Sequence, residues 1–216
     1  MKLYFVVILS MMKSIKYSSI KIGDPKKAIV AIHGFKGNSK SFHFLSNTMK
    51  INNIEWFFPE APYVIDKNIT TRSWSNEISE GEYDVTKTKE QFPIFLEEKV
   101  FSKYHPENVF FIGFSQGAVV CYEFVLYLNF KIGGVFPIAG FFRNSKLKKS
   151  RFHPIQINTP IIIGHGIKDD IVSVDQSRFI HKTLKNQNAN VKLVEYNGRH
   201  KINLDYLKEI TKLIND

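Results

Sequence analysis

Short runs of β-branched and aromatic residues alternate along this chain with longer stretches whose apolar positions recur at helical spacing. The short runs predict strands over 15–22, 28–32, 54–58, 109–112, 134–138, 160–164 and 191–196. The periodic stretches predict helices over about 39–51, 86–104, 116–128, 174–186 and 203–214. Gly23-Asp24-Pro25 turns the first strand into the second. Ser173, followed by Gln176, has the form of a capping box. Pro93 predicts a kink in the second helix, or its true first turn.

Several strand runs are apolar on both faces, as buried parallel strands are. Strands and helices in this alternation imply an α/β fold with a mostly parallel central sheet flanked by helices. Ligands in such folds gather beyond the carboxyl ends of the strands, so the loops there carry the chemistry.

The loop after the 109–112 strand is the most informative. GFSQG at 113–117 is a Gly-x-Ser-x-Gly between a buried strand and an apolar helix, the setting of a nucleophile elbow. Both flanking positions of so tight a turn need to lack a side chain, and Ser115 then projects over the sheet edge. A serine attacking an acyl carbonyl needs donors for the oxyanion, commonly backbone amides. One comes from the residue after the nucleophile, here Gln116; the other comes from the loop after an early strand, here HGFKGN at 33–38. Phe35 is positioned to give its N–H, Gly34 lets the backbone come close to a ligand, and His33 is expected to be structural.

Chain order in this arrangement is nucleophile, acid, histidine. His33, His43 and His105 precede Ser115, and His153 and His165 precede the candidate acids. His181 falls inside an amphipathic helix. His200 remains, in a glycine-containing loop between the last strand and the last helix. The acid lies in IIIGHGIKDDIV at 161–172, where Asp169 and Asp170 stand side by side and chain direction alone does not separate them.

Four stretches then occur in a familiar order: HGFKGN at 33–38, FPEAP at 58–62, GFSQG at 113–117 and HGIKD at 165–169. Together they resemble the phospholipase/carboxylesterase group of the α/β-hydrolase superfamily, which includes the acyl-protein thioesterases. The resemblance runs from Ala28 to the C-terminus. Its His-Gly-x-x-Asp-x-x-Val pattern selects Asp169 as the acid, with Val172 in register. It implies hydrolysis of carboxylic esters, lysophospholipids or protein acyl-thioesters by a Ser115–His200–Asp169 triad, without metal or organic cofactor. Ala118 and the Trp74-Ser75-Asn76 stretch depart from the family pattern, the latter in the pocket wall, and Trp74 and Gly34 are the pocket candidates. A lactone-opening or carbon–carbon-cleaving hydrolase and a non-catalytic binding protein are the rival classes.

Size and charge adjust this picture at the edges. The 216 residues are 44% hydrophobic, with 19 Phe and 9 Tyr, enough for one domain over 15–216 with a sizeable core. Only about 20 residues separate the strand ending near Ala139 from the one starting near Pro160, so no large cap domain is expected. A single cysteine, Cys121 in an apolar helix, excludes an internal disulfide and suits a reducing compartment. The net charge of +10 is scattered, without a nucleic-acid-binding motif, except at Arg143, Lys146, Lys148, Lys149 and Arg151. That cluster follows a strand end, so it either favours anionic substrates or an anionic lipid surface, or is simply a solvated loop. Residues 3–9 are an apolar run too short to span a bilayer, with no small-x-small cleavage site after it, and Met11 and Met12 offer later starts. Residues 1–14 are thus taken as an N-terminal extension, and a cytoplasmic location is expected.

Overall fold

A computed structural model describes residues 14–66, 70–143 and 151–215. Residues 1–13 of the 1–14 extension and Lys146, Lys148 and Lys149 lie outside the described residues. The strands are β1 (Tyr17–Ile22), β2 (Lys27–Ile32), β3 (Ile54–Pro59), β4 (Tyr63–Val64), β5 (Arg72–Ser73), β6 (Asn76–Ser79), β7 (Glu82–Asp84), β8 (Val109–Phe114), β9 (Gly134–Ile138), β10 (Ile161–Gly166) and β11 (Val191–Tyr196). The helices are α1 (His43–Met49), α2 (Thr86–Phe95), α3 (Gln116–Glu123), α4 (Val174–Asn186) and α5 (Leu204–Asn215).

Seven strands form one sheet in the order β1-β3-β2-β8-β9-β10-β11, parallel except for β1. Side chains along a strand alternate between faces, so each strand feeds two cores. Val30, Ile32, Phe111 and Ile163 pack on one side with Phe92, Phe95, Val120 and Leu184 from α2, α3 and α4. Ile29, Ala31, Ile112 and Ile162 pack on the other with Leu45 and Met49 of α1 and Leu207 and Ile210 of α5. Among the described residues no helix is long and apolar enough to cross a membrane.

The turn at 23–25 does not make β1 and β2 neighbours, because β3 lies between them. Burial along β1 alternates between half-buried and exposed, which suits an edge, whereas β2 is buried on both faces and needs a strand on either side. Pro93 sits well inside α2, and its missing N–H is followed by a π-helical turn over Leu96–Phe101. The helix predicted to 128 stops at Glu123 and continues as a 3-10 turn over Val125–Tyr127. Ser173 caps α4, accepting from the Asp175 amide at 3.3 Å. The connection over 139–160 holds, among its described residues, one 3-10 turn at Pro154–Gln156.

The chain winds outward from β2 to β3 in one direction, then returns to place β8, β9, β10 and β11 on the other side. The reversal falls between β2 and β8. Loops leaving adjacent strands there diverge, and a crevice opens at their carboxyl ends. The HGFKGN loop and Ser115 flank that crevice. Two small ladders, β4–β5 and β6–β7, lie in the 60–85 connection.

Candidate active site

Ser115 joins β8 to α3 with φ 53° and ψ −116°, a conformation that side chains other than glycine rarely adopt. Its N–H donates to the Ile138 carbonyl of β9 at 2.8 Å. The turn leaves no room beside it: a Cβ at Gly117 would lie 2.1 Å from the Ile32 carbonyl oxygen, and one at Gly113 would lie 2.4 Å from the Gly117 oxygen. The two glycines are what let α3 start against β2 and β8.

The loop after β2 is pinned to β5, with the Lys36 amide donating to the Arg72 oxygen at 3.0 Å and the Arg72 amide to the Gly37 oxygen at 2.9 Å. Beneath it lies His33, 1% exposed. The Ala61 amide donates to His33 Nε2 at 3.1 Å, which leaves Nδ1–H to donate to the Gly34 oxygen at 2.7 Å. Burial pushes the His33 pKa down to about 4, so the ring is neutral at physiological pH. His33 is structural, as its sequence position suggested. Among the described residues, neither the Phe35 nor the Gln116 amide has a protein acceptor.

Trp74 is fully buried beneath this loop. Its indole N–H donates to the His33 carbonyl at 2.9 Å, and its ring packs between His33 and Phe92. Its neighbours Ser73 and Ser75 line the cavity above, and Trp74 does not. The Gln116 side chain reaches the same segment: Nε2 donates to Ser73 Oγ at 2.8 Å and Ser75 Oγ at 3.0 Å, and Oε1 accepts from the Trp74 amide at 3.0 Å. Gly34 abuts the nucleophile, since a Cβ there would lie 3.3 Å from Ser115 Cβ.

The adjacent aspartates have opposite environments. Asp169 is fully buried at its side chain, whereas Asp170 is 59% exposed with Arg199 Nη1 at 3.5 Å. Asp169 Oδ1 accepts from the Ile171 and Val172 amides, each at 2.9 Å. Asp169 Oδ2 lies 2.7 Å from His200 Nδ1 and 3.2 Å from His165 Nε2. Burial raises the Asp169 pKa, but the Val172 amide, His200 and the Ile171 amide outweigh it and hold the carboxyl below its ordinary value. An ionised Asp169 makes His200 Nδ1 the protonated nitrogen and leaves Nε2 with its lone pair. The His200 ring sits 4.7 Å from that of Phe114, the residue before Ser115.

Two crossing loops bring this pair together. The Ile167 amide donates to the Tyr196 oxygen and the Lys168 amide to the Gly198 oxygen, each at 2.9 Å. Contact is so close that a Cβ at Gly166 would lie 2.3 Å from the Gly198 oxygen. His165, set aside by chain order, is fully buried beside the acid, with Nδ1 2.7 Å from Ser177 Oγ and Nε2 2.8 Å from the Val172 oxygen.

Ser115 and Gln116 open into a cavity of about 520 Å³ that also meets Phe35, Ile171, Val172 and Arg143. Of the basic cluster, Arg143 is not solvated, with its side chain only 8% exposed and its guanidinium 5.1 Å from the Tyr83 ring centroid. The Arg151 guanidinium lies 4.7 Å from the Phe142 centroid.

The family model for Phospholipase/Carboxylesterase matches residues 18–216. The chain belongs to this family. Among its curated relatives, the acyl-protein thioesterase 1 of Kluyveromyces lactis is 26% identical over 212 residues, covering 88% of this chain and 91% of that protein. The carboxylesterase SOBER1 of Arabidopsis thaliana is 24% identical over 202 residues, covering 86% and 88%. The crystal structure of SOBER1 superposes with a TM-score of 0.74, covering 88% of this chain and 97% of that one. That of a Bacillus cereus carboxylesterase gives 0.75 at 20% identity, covering 99% and 97%. Membership of the family and this likeness make the protein a hydrolase of the α/β-hydrolase fold, as the four sequence stretches implied.

Proposed function

We propose that the protein hydrolyses carboxylic esters through an acyl-enzyme on Ser115. The observation that carries this reading is the buried Asp169–His200 contact at 2.7 Å, with the His200 ring against the residue that precedes Ser115. Asp169 holds the imidazole in one tautomer and orientation. His200 Nε2 takes the Ser115 hydroxyl proton as Oγ attacks the acyl carbonyl. The negative charge that develops on the carbonyl oxygen is met by the Phe35 and Gln116 amides, which have no acceptor among the described residues. Collapse expels the alcohol, which receives the proton from His200. Water then attacks the acyl-serine with His200 again as base, releasing the acid and restoring Ser115.

A cavity of about 520 Å³ falls within the range of small-molecule sites and suits a small ester or a single acyl chain. A second reading, acyl-protein thioesterase, is favoured by the likeness to the acyl-protein thioesterase 1 of Kluyveromyces lactis. The same mechanism serves it, with a thiol as leaving group.

A fluorophosphonate probe tests the mechanism, and matched oxygen and thioester substrates of graded chain length test the substrate. Labelling at Ser115, abolished in Ser115→Ala together with turnover of every ester, is the expected result. Turnover that survives in Ser115→Ala would overturn the reading. A preference for thioesters over oxygen esters of equal chain length would move the assignment to the second reading.

A further inference from the structure

A second cavity of about 430 Å³ lies against the first. Tyr83 and Arg143 belong to both linings, so this stacked pair forms the partition between them. Among the described residues the charged groups on the second cavity are Lys89, Arg143, Arg151 and Glu123, three cations against one carboxylate. On the Ser115 side the charged lining groups are Arg143 and Glu77.

Arg143 is an unusual cation for a protein surface. Its side chain is 8% exposed, and the Glu123 carboxylate approaches Nε only to 3.8 Å, beyond charge-assisted hydrogen-bond length. Its Nη1 is buried and donates to no acceptor among the described residues. Buried donors are costly to leave unmade, and a charge screened from water acts with more force on whatever enters beside it. Both considerations apply to Arg143.

We propose that the second cavity is an anion subsite of the Ser115 site, holding the carboxylate or phosphate of a negatively charged ester by the charge of Arg143. The inference rests on Ser115 being the nucleophile and adds the substrate's charge. Glu123 competes with the ligand for Arg143, so the two residues control anion preference with opposite sign.

The test compares kcat/KM of the full chain on two pairs of esters. 4-Nitrophenyl glutarate monoester against 4-nitrophenyl butyrate probes a carboxylate on the acyl side. A 1-acylglycerol 3-phosphate against the matching 1-acylglycerol probes a phosphate on the leaving group. The expected result is a preference of about tenfold for the anionic member of one pair, which identifies the source of the charge. Arg143→Gln should abolish that preference, Arg143→Lys should keep part of it, and Glu123→Gln should increase it. No preference in either pair, or equal losses on both members in Arg143→Gln, would overturn the proposal while leaving the esterase reading intact. Failure of the fluorophosphonate to label Ser115, with no turnover of any of these esters, would remove the esterase reading and this proposal together.

Discussion

Asp169 Oδ2 meets His200 Nδ1 at 2.7 Å, although the two residues are 31 positions apart and come from loops after different strands. The acid is held from two sides, by the Ile171 and Val172 amides on one oxygen and by His200 and His165 on the other. A carboxylate with its lone pairs so occupied has one position to take.

The aspartate pair gives the sharpest functional test. Asp169→Asn should lower kcat by roughly ten-thousandfold, because an amide does not hold His200 in the tautomer that leaves Nε2 free. Asp170→Asn removes only an exposed contact with Arg199 and should change kcat by about twofold or less. Steady-state turnover of one ester by both variants decides it; a dead Asp170→Asn beside an active Asp169→Asn would reverse the assignment.

His33 should make the fold sensitive to mild acid. Its pKa falls from 6.5 in the open chain to about 4 in the folded protein. Above 6.5 both states are neutral at this group and it contributes no pH dependence. As pH drops from 6.5 towards 4 the unfolded chain takes up a proton that the folded one refuses, costing on the order of 3 kcal/mol across that window. Urea unfolding at a series of pH values should show this slope in the wild type and a shallower one in His33→Gln.

Gly117→Ala should be strongly destabilising. The new methyl would sit 2.1 Å from the Ile32 carbonyl oxygen, so backbone rather than a pliable side chain must move. Overpacking of this kind costs about 1–3 kcal/mol. A fall in the urea midpoint and in the rate of Ser115 labelling would be seen together, because the same overlap displaces the start of α3.

Gln116→Met separates the side chain of this residue from its amide. The variant loses the bonds to Ser73, Ser75 and Trp74 but keeps the N–H assigned to the oxyanion. It should cost about 1–3 kcal/mol of stability through the unpaired serines and the Trp74 amide. The loss in kcat should be far smaller than that of Ser115→Ala, and comparing melting with turnover checks both.

The long strands and the order of motifs were legible because they rest on local demands. Runs such as Ala28 to Ile32 are apolar at every position, short and rich in β-branched residues, which suits a strand buried on both faces. The two-residue ladder of β4 and β5 was invisible, since so short a pairing has no periodicity. Trp74 illustrates a different limit. An aromatic near a cavity is equally at home in its wall or behind it, and only its bond to the His33 carbonyl puts it behind. His165 was set aside, and its place beside Asp169 missed, because chain order sorts residues by role along the sequence, not by who stands next to whom.

By itself the sequence determined the strand cores, the elbow at Ser115 and the glycines that permit it, because these depend on side-chain volume and on φ and ψ within a few residues. Tertiary structure decided which of two neighbouring aspartates turns inward and that Arg143 is buried against Tyr83 instead of solvated. The reason is the same in both cases. The direction of a loop side chain is set by the partners that distant strands bring to it, and those partners exist only once the sheet has assembled.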